Sequence, residues 1–168
     1  LYARKPDSLQ PLLMDPNPPR EFFPGGGGLY STAPDYVRFL RMLLNGGELD
    51  GAGILKSETV QLMRQNHIGD LLVEPMRSCQ PASSEDVEFF PGMRKKWGLS
   101  FMISTEPGHA GRSAGSLTWA GLYNTYFWLD GQANIAGVFM TQVLPFADRT
   151  VLALLDALEQ HAYAIAPS

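Results

Sequence analysis

Residues 115–123 constrain the fold of this chain more than any other part of the sequence. Residues 116–119 favour the pleated, half-buried surface of a β-strand, and a gap of small residues follows at Ala120 and Gly121. A glycine within a strand marks a bend, a bulge or a point where a ligand or another backbone comes close. The segment predicts either a hairpin corner in an ordinary sheet or an edge strand whose backbone faces a substrate.

The flanking residues extend this strand pattern in both directions. Large apolar residues recur at every second position over residues 97–103, which predicts one strand, and residues 123–129 predict another. Asp130-Gly131 is a hairpin signal, after which residues 134–143 form a returning strand. Because this last strand is apolar on both faces, we expect it to be central in the sheet and covered on both sides.

Three helices are predicted around these strands. The first has Thr32 as its N-cap, followed by Pro34 and Asp35 in its first turn, and it ends at Asn45-Gly46-Gly47. The second begins with Ser57 as its N-cap and runs to about residue 66, and the third starts near residue 148. The predicted apolar face of the third helix is Val151, Leu154, Leu155, Leu158 and Ala162, with Glu159 largely off it.

The order of these elements predicts the α+β class, an antiparallel sheet with helices packed on it. Residues 1–95 form a loop-rich and helical part with a glycine-rich loop at residues 25–28. Residues 96–168 form a three-stranded antiparallel sheet and a C-terminal helix. Residues 1–24 are rich in proline and predict extended chain with a brief hairpin near residues 5–9, and residues 69–94 predict an irregular loop. We expect both parts to belong to one incomplete domain.

Composition excludes several classes of partner. The chain has 168 residues and a net charge of −4, without a run of Lys or Arg, so we expect neither nucleic acid nor a membrane surface as a partner. No apolar run approaches the roughly 18 residues of a membrane span. The single cysteine, Cys79, excludes an internal disulfide, slightly favours a cytoplasmic location and is interpreted as a loop residue. The sequence begins without Met and in the middle of a pattern, so we interpret it as a fragment.

The residues themselves show no complete catalytic machinery. There is no Ser-x-x-Lys, the pairing in which a lysine one helical turn away accepts the serine proton. His67, His109 and His161 lack the spacing of metal ligands, so no metal and no cofactor are expected. His109 precedes the strand at residues 115–123, but its position alone assigns it no catalytic role.

Two motifs resemble a known family. Residues 25–47, Gly-Gly-Gly-Gly-Leu-Tyr-Ser-Thr-Ala-x-Asp-Tyr-x-Arg-Phe-x-x-x-Leu-Leu-Asn-Gly-Gly, resemble the loop and helix of serine β-lactamase-like hydrolases. These include class C β-lactamases, family VIII carboxylesterases and related penicillin-binding proteins. Trp119-Ala120-Gly121 resembles the third motif of the family, which is Lys-Thr-Gly or similar in β-lactamases and often Trp-x-Gly in family VIII esterases. The resemblance extends from about residue 20 to residue 163.

The resemblance implies a substrate site on the strand that carries Trp119, Ala120 and Gly121. The backbone N–H of Leu122 would donate to the oxyanion, because an amide fixed in a sheet needs no reorganisation as the carbonyl oxygen gains charge. Gly121 would let an acyl group reach that amide without a side chain in the way. Gly26 and Gly27 would form part of the pocket rim.

Two departures from the family pattern qualify this expectation. Trp119 replaces the lysine of true β-lactamases and offers a flat apolar wall with one N–H donor, which favours neutral esters. The Ser-x-x-Lys and Tyr-x-Asn motifs are absent and would lie on a missing N-terminal portion. The resulting hypothesis is the C-terminal portion of a carboxylesterase that acts through an acyl-enzyme on a small ester or amide. A β-lactamase or D,D-peptidase, an acyltransferase and a non-catalytic relative are the alternatives.

Overall fold

A computed structural model describes residues 1–13, 21–23 and 25–166 of the chain. The helices of these described residues are α1 (Ala33–Leu44), α2 (Ser57–Met63) and α3 (Arg149–Ile165). The strands are β1 (Tyr2–Lys5), β2 (Ser8–Pro11), β3 (Glu48–Leu49), β4 (Ala52–Gly53), β5 (Lys95–Trp97), β6 (Met102–Ser104), β7 (Leu117–Gly121), β8 (Thr125–Asp130), β9 (Ile135–Phe139) and β10 (Val143–Leu144).

The main sheet is antiparallel, with five strands in the order β5-β6-β7-β8-β9. The α+β class is confirmed, but the expected number of three strands is wrong. Residues 96–104 form parts of two strands instead of one, because the N–H of Gly98 donates to the Phe101 carbonyl at 2.8 Å and closes a turn between β5 and β6. A two-residue period can continue through such a turn, so the period alone did not reveal it.

The expectation that residues 134–143 form a central strand is wrong. Among the described strands, β9 pairs only with β8 and is an edge of the sheet, and its residues are half-buried. The chain leaves the sheet after Phe139, and β10 joins a second sheet with the order β10-β1-β2. The β1–β2 hairpin of that sheet confirms the hairpin predicted near residues 5–9.

Helices α1 and α3 cover opposite faces of the main sheet, since alternate residues of its strands belong to two separate clusters. Leu117 and Leu129 pack with Leu40 and Leu43 of α1. On the other face, the second cluster comprises Tyr126, Trp128, Val143, Val151 and Leu155. The strands with both faces covered are therefore β7 and β8, which hold the middle of the sheet.

The sequence signals predicted the ends of α1 correctly but not those of α2. In α1 the Thr32 hydroxyl accepts from the Asp35 N–H, and Asn45 is the C-cap, as predicted. The N-cap of α2 is Lys56 instead of Ser57, and α2 ends at Met63. Among the described residues, none of the helices combines the length and the apolar composition needed to cross a membrane.

The buried face of α3 differs from the predicted apolar face. Val151 and Leu155 are buried as expected, but Leu154 is 55% exposed and Leu158 is 37% exposed. Glu159 is buried in their place because its carboxylate forms a bidentate ion pair with Arg112, which is itself buried. A partner 47 residues away in sequence thus decides which side of the helix faces inward.

The packing of β9 on β8 generates a stability prediction. A Cβ atom added at Gly137 would overlap the ring of Trp128, which is 1% exposed. Because overpacking a tight core forces side chains and backbone to shift, we expect Gly137→Ala to lower the free energy of unfolding by about 1 to 3 kcal/mol. Gly53→Ala is the matched control, since a Cβ there would meet no described atom within 4 Å. Urea unfolding of the intact protein measures both variants, and equal midpoints would contradict the packing described.

Candidate active site

Strand β7 is paired on both sides over only part of its length. Strand β6 pairs with Leu117 and Thr118, whereas residues 119–121 pair only with β8 among the described strands. The expectation of an edge strand is therefore wrong for β7 as a whole, because β7 lies in the middle of the sheet. Its last three residues nevertheless extend beyond β6 and form the predicted motif Trp119-Ala120-Gly121. We call residues 119–121, which have no described partner on the β6 side, the unpaired end of β7.

A tight turn follows the unpaired end and leads into β8. Gly121 pairs with Thr125, the Asn124 N–H donates to the Gly121 carbonyl at 3.0 Å, and Asn124 has a φ of 59°. Neither Leu122 nor Tyr123 has a positive φ. These features define a three-residue hairpin loop, a type I turn followed by a left-handed residue.

The turn fixes the direction of the Leu122 N–H. The Gly121 carbonyl and the Leu122 N–H belong to one planar, trans peptide group, so they point in opposite directions. Because the carbonyl points into the turn toward Asn124, the N–H points out of the hairpin, away from β8. Leu122 is 52% exposed, and its N–H has no acceptor among the residues that the structure describes.

Gly121 has a structural neighbour that sequence reasoning did not foresee. A Cβ atom at this position would overlap the hydroxyl oxygen of Thr125 on β8. We had expected the absent side chain to leave space for an acyl group. The close approach of Thr125 accounts for the glycine without reference to a ligand.

The side chain of Trp119 belongs to an aromatic cluster at the unpaired end of β7. It is half-buried, and its ring meets the ring of Trp97 edge-on with 4.5 Å between centroids. Phe89 lies 6.1 Å from Trp119 between centroids, also edge-on. The surface that Trp119 contributes is therefore flat and aromatic.

Gly26 and Gly27 lie in an exposed loop before α1. A Cβ atom added at any of residues 25–27 would meet no described atom within 4 Å. The role of Gly26 and Gly27 at the pocket rim stays a prediction.

Asn124 is a site residue that sequence reasoning missed. It is 0% exposed, and its Nδ2 donates to the carbonyl oxygens of Val143 at 2.8 Å and Pro145 at 2.7 Å. Its Oδ1 accepts from the Tyr126 hydroxyl at 2.7 Å and from the Asp148 N–H at 3.2 Å. The one available signal was an asparagine placed where a turn enters a strand, since asparagine tolerates the left-handed conformation.

Thr141 supports the same turn from outside β9. Its hydroxyl lies 2.7 Å from the Tyr123 carbonyl oxygen and 3.1 Å from that of Asn124. The Val143 N–H also donates to Tyr123, at 3.3 Å. The segment after β9 therefore holds the turn that presents Leu122.

The turn is connected through Asn124 to the start of α3. The Asp148 side chain caps α3 by accepting from the Val151 N–H at 3.0 Å, and it forms a bidentate ion pair with Arg4 at 2.7 and 3.1 Å. Burial alone would raise the pKa of Asp148, but the Arg4 hydrogen bonds and the Val151 N–H outweigh it, so the pKa lies below its ordinary value.

A cavity of about 310 Å³ lies on the α3 side of the sheet. Its walls are aromatic residues of the loop 87–91, apolar residues of α3 and part of β7. Trp119 and Ala120 line the cavity, whereas Gly121 and Leu122 do not. The cavity therefore meets the predicted site only at its first two residues.

Two side-chain contacts between the loop 108–112 and α3 border this cavity. His109 Nε2 lies 2.5 Å from Asp156 Oδ1 and is exposed, while the ion pair of Arg112 with Glu159 is buried. In the described ranges, no three His, Cys, Asp or Glu side chains come together in a way that could hold a metal ion.

An antiparallel sheet with helices on both faces is the fold that the resemblance to serine β-lactamase-like proteins implies. The Beta-lactamase family matches residues 1–161, and the chain belongs to that family. The resemblance stated from residues 25–47 and Trp119-Ala120-Gly121 is thereby confirmed.

Curated relatives include proteins named for ester and acyl-transfer chemistry. Protein Rv1367c of Mycobacterium tuberculosis is 34% identical over 76% of this chain and 31% of its own length. A monacolin J acid methylbutanoyltransferase of Aspergillus terreus is 30% identical, and a lovastatin esterase of Penicillium rubens is 29% identical. The matches to these two cover 83% and 82% of this chain, and 34% of each relative. The chain thus spans about a third of the length of the relatives it matches.

Solved structures confirm the fold. The LovD9 mutant of simvastatin synthase from Aspergillus terreus matches 98% of this chain and 40% of that chain with a TM-score of 0.68. Sequence identity across this match is 23%, so the comparison shows the fold alone. The β-lactamase/transpeptidase-like architecture is confirmed by this likeness.

The lowered pKa of Asp148 predicts a pH-dependent stability. A carboxylate with a depressed pKa stabilises the fold above its unfolded value of about 3.9, and this stability is lost as the pH falls through the folded-state pKa. We expect Asp148→Asn to be less stable than the unaltered protein by about 1 to 2 kcal/mol at pH 7, with a difference that shrinks below about pH 4.

Asp50→Asn is the matched control, because Asp50 pairs with Arg38 through side chains that are both 58% exposed. Unfolding midpoints measured between pH 3 and pH 7 test the pair of variants. An equal loss in both variants, or a constant difference for Asp148→Asn across this range, would contradict the role of the Asp148 charge.

Proposed function

We propose that this chain is the C-terminal portion of a serine carboxylesterase, in which the Leu122 N–H is one of two donors to the oxyanion. The observation that carries the proposal is the direction of this N–H, out of the hairpin at the unpaired end of β7 and without an acceptor among the described residues. Membership of the Beta-lactamase family and the similarity to a lovastatin esterase support it.

The proposed reaction proceeds through an acyl-enzyme. A serine oxygen attacks the ester carbonyl carbon, the carbonyl oxygen becomes negative, and the alcohol leaves after gaining a proton. Water then releases the acid from the serine. The second oxyanion donor is the amide of the serine itself. Since the 168 residues contain no Ser-x-x-Lys, we place the serine, its lysine and the Tyr-x-Asn motif on polypeptide outside this sequence.

The aromatic cluster around Trp119 supports a neutral substrate. A lysine at this position would present a point charge to a substrate carboxylate, whereas the ring of Trp119 presents an apolar wall. Ala120 and Gly121 would lie along the substrate with their backbone, and Gly26 and Gly27 would border its entrance. We further propose that residues 1–95 and 96–168 contribute to one domain that other polypeptide completes.

An acyltransferase is the second candidate. It would form the same acyl-enzyme and pass the acyl group to an alcohol instead of water. The similarity to a methylbutanoyltransferase, at 30% identity, favours this candidate as much as the esterase relative favours hydrolysis. Adding small alcohols to the ester assay separates the two, because an acyltransferase produces a new ester in place of the free acid.

Removing the Leu122 N–H tests the proposed site. Proline is favoured at the second position of a type I turn and has no N–H, so Leu122→Pro deletes the donor while keeping the turn. We expect kcat/KM for p-nitrophenyl butyrate, measured on the intact protein, to fall by about 10²- to 10³-fold, the usual cost of losing one oxyanion donor. Leu122→Ala is the matched control, because it keeps the N–H and shortens the half-exposed side chain.

The outcomes of this assay are distinct. Equal activity of Leu122→Pro and Leu122→Ala would contradict the assignment of the Leu122 N–H as an oxyanion donor. Absence of ester turnover in the unaltered intact protein would overturn the esterase proposal itself. Turnover of a chromogenic cephalosporin at a rate comparable to that of the ester would favour the β-lactamase alternative and contradict our interpretation of Trp119.

A further inference from the structure

We propose that Asn124 is a positioning residue that holds the Leu122 N–H in the direction required for oxyanion binding. The inference rests on the proposed function and concerns a residue that the family motif Trp-x-Gly does not include. Asn124 contacts no reacting atom in this proposal. It acts through the turn, two residues beyond the amide that it aligns.

The side-chain amide of Asn124 is fully engaged. An asparagine amide has two N–H donors and an oxygen with two acceptor sites. Both donors of Asn124 bind backbone carbonyls, and its oxygen accepts from the Tyr126 hydroxyl and the Asp148 N–H. Because the residue is 0% exposed, losing one of these partners would leave a buried polar group unsatisfied.

These bonds anchor the turn to three separate parts of the chain. Val143 and Pro145 belong to the segment between β9 and α3, Tyr126 lies on β8, and Asp148 is the N-cap of α3. The backbone N–H of Asn124 simultaneously holds the Gly121 carbonyl at 3.0 Å. That carbonyl and the Leu122 N–H share one rigid peptide group. The position of Asn124 therefore determines the direction of the Leu122 N–H.

A residue with positive φ in a hairpin turn does not need a buried side chain that binds other segments, as a second asparagine shows. Asn134 has a φ of 54°, close to the 59° of Asn124, and lies in the turn between β8 and β9. Asn134 is exposed, whereas Asn124 is buried. The two turns at opposite ends of β8 thus share residue type and backbone conformation, and they differ in burial and in what the side chain anchors.

This difference provides a matched experiment on the intact protein. Asn124→Gly and Asn134→Gly both keep a residue that adopts positive φ without strain and remove the side chain. We expect Asn124→Gly to lower kcat for p-nitrophenyl butyrate at least 10-fold, with KM within about 3-fold, because a displacement of about 1 Å at a catalytic group is enough for such a loss. Asn134→Gly should leave kcat and KM unchanged. All rates are expressed per active site, and the sites are counted from the burst of product released during acylation.

A stability control separates positioning from folding. Asp130 is 0% exposed at the other end of β8 and accepts from the backbone N–H groups of Ser113, Gln132 and Ala133. Asp130→Asn should lower the unfolding midpoint and leave kcat per titrated site unchanged. Tyr126→Phe removes the hydroxyl that donates to Asn124 Oδ1 and also bonds the Ala147 backbone. It should lower kcat by about 2- to 5-fold with KM unchanged, and it tests the positioning role if Asn124→Gly does not fold.

The results decide between the two levels of the proposal. Unchanged kcat per site in Asn124→Gly, or in Tyr126→Phe where the glycine variant does not fold, would overturn the positioning role. An equal loss in Asp130→Asn would do the same. If Leu122→Pro loses activity while Asn124→Gly and Tyr126→Phe keep it, the oxyanion assignment is supported and only the positioning role of Asn124 is contradicted. Absence of ester turnover in the unaltered protein would overturn both.

Discussion

The buried side chain of Asn124 joins parts of the chain that are distant in sequence. It connects the β7–β8 turn to the Val143 and Pro145 carbonyls and to the N-cap residue of α3, Asp148. A buried amide is costly unless each polar atom has a partner, so the side chain favours the arrangement of these segments that supplies all four bonds. Asp148 extends the same connection to the N-terminal hairpin through its ion pair with Arg4. The two ends of the chain are thereby fixed relative to the turn at the candidate site.

The unequal lengths of neighbouring strands create the candidate site. Because β6 begins opposite Thr118, the last residues of β7 are held by β8 on one side and, among the described strands, have no partner on the other. A backbone donor in such a place is held by its neighbours before any substrate arrives, which is the condition for electrostatic stabilisation without reorganisation. The aromatic rings of Trp97 and Trp119 flank this end and set its apolar character.

The α3 side of the sheet accommodates a buried ion pair within an apolar layer. The Arg112 guanidinium pairs with Glu159 and lies over the rings of Phe90 and Trp128, with 4.8 and 5.5 Å from its carbon to their centroids. Removing the two charges from water costs free energy, and their mutual attraction does little more than offset this cost. The main effect of the pair is therefore to fix the geometry of the segments that it joins. The pair fixes α3 against the loop 108–112 and leaves the cavity between them.

Local patterns in the sequence determined the elements whose signals are local. Thr32 and Asp35 begin α1, the pattern of β8 and the Asp130-Gly131 signal indicated the β8–β9 hairpin, and the motif at residues 119–121 indicated the candidate site through family resemblance. Tertiary structure alone decided that residues 96–104 fold back into two strands, that β9 is an edge, that Glu159 faces inward and that Asn124 anchors the turn. The physical reason is the same in each case. Periodicity and capping depend on neighbours in sequence, whereas burial and hydrogen bonding at these positions depend on partners that only the folded chain brings close, such as Arg112, 47 residues from Glu159.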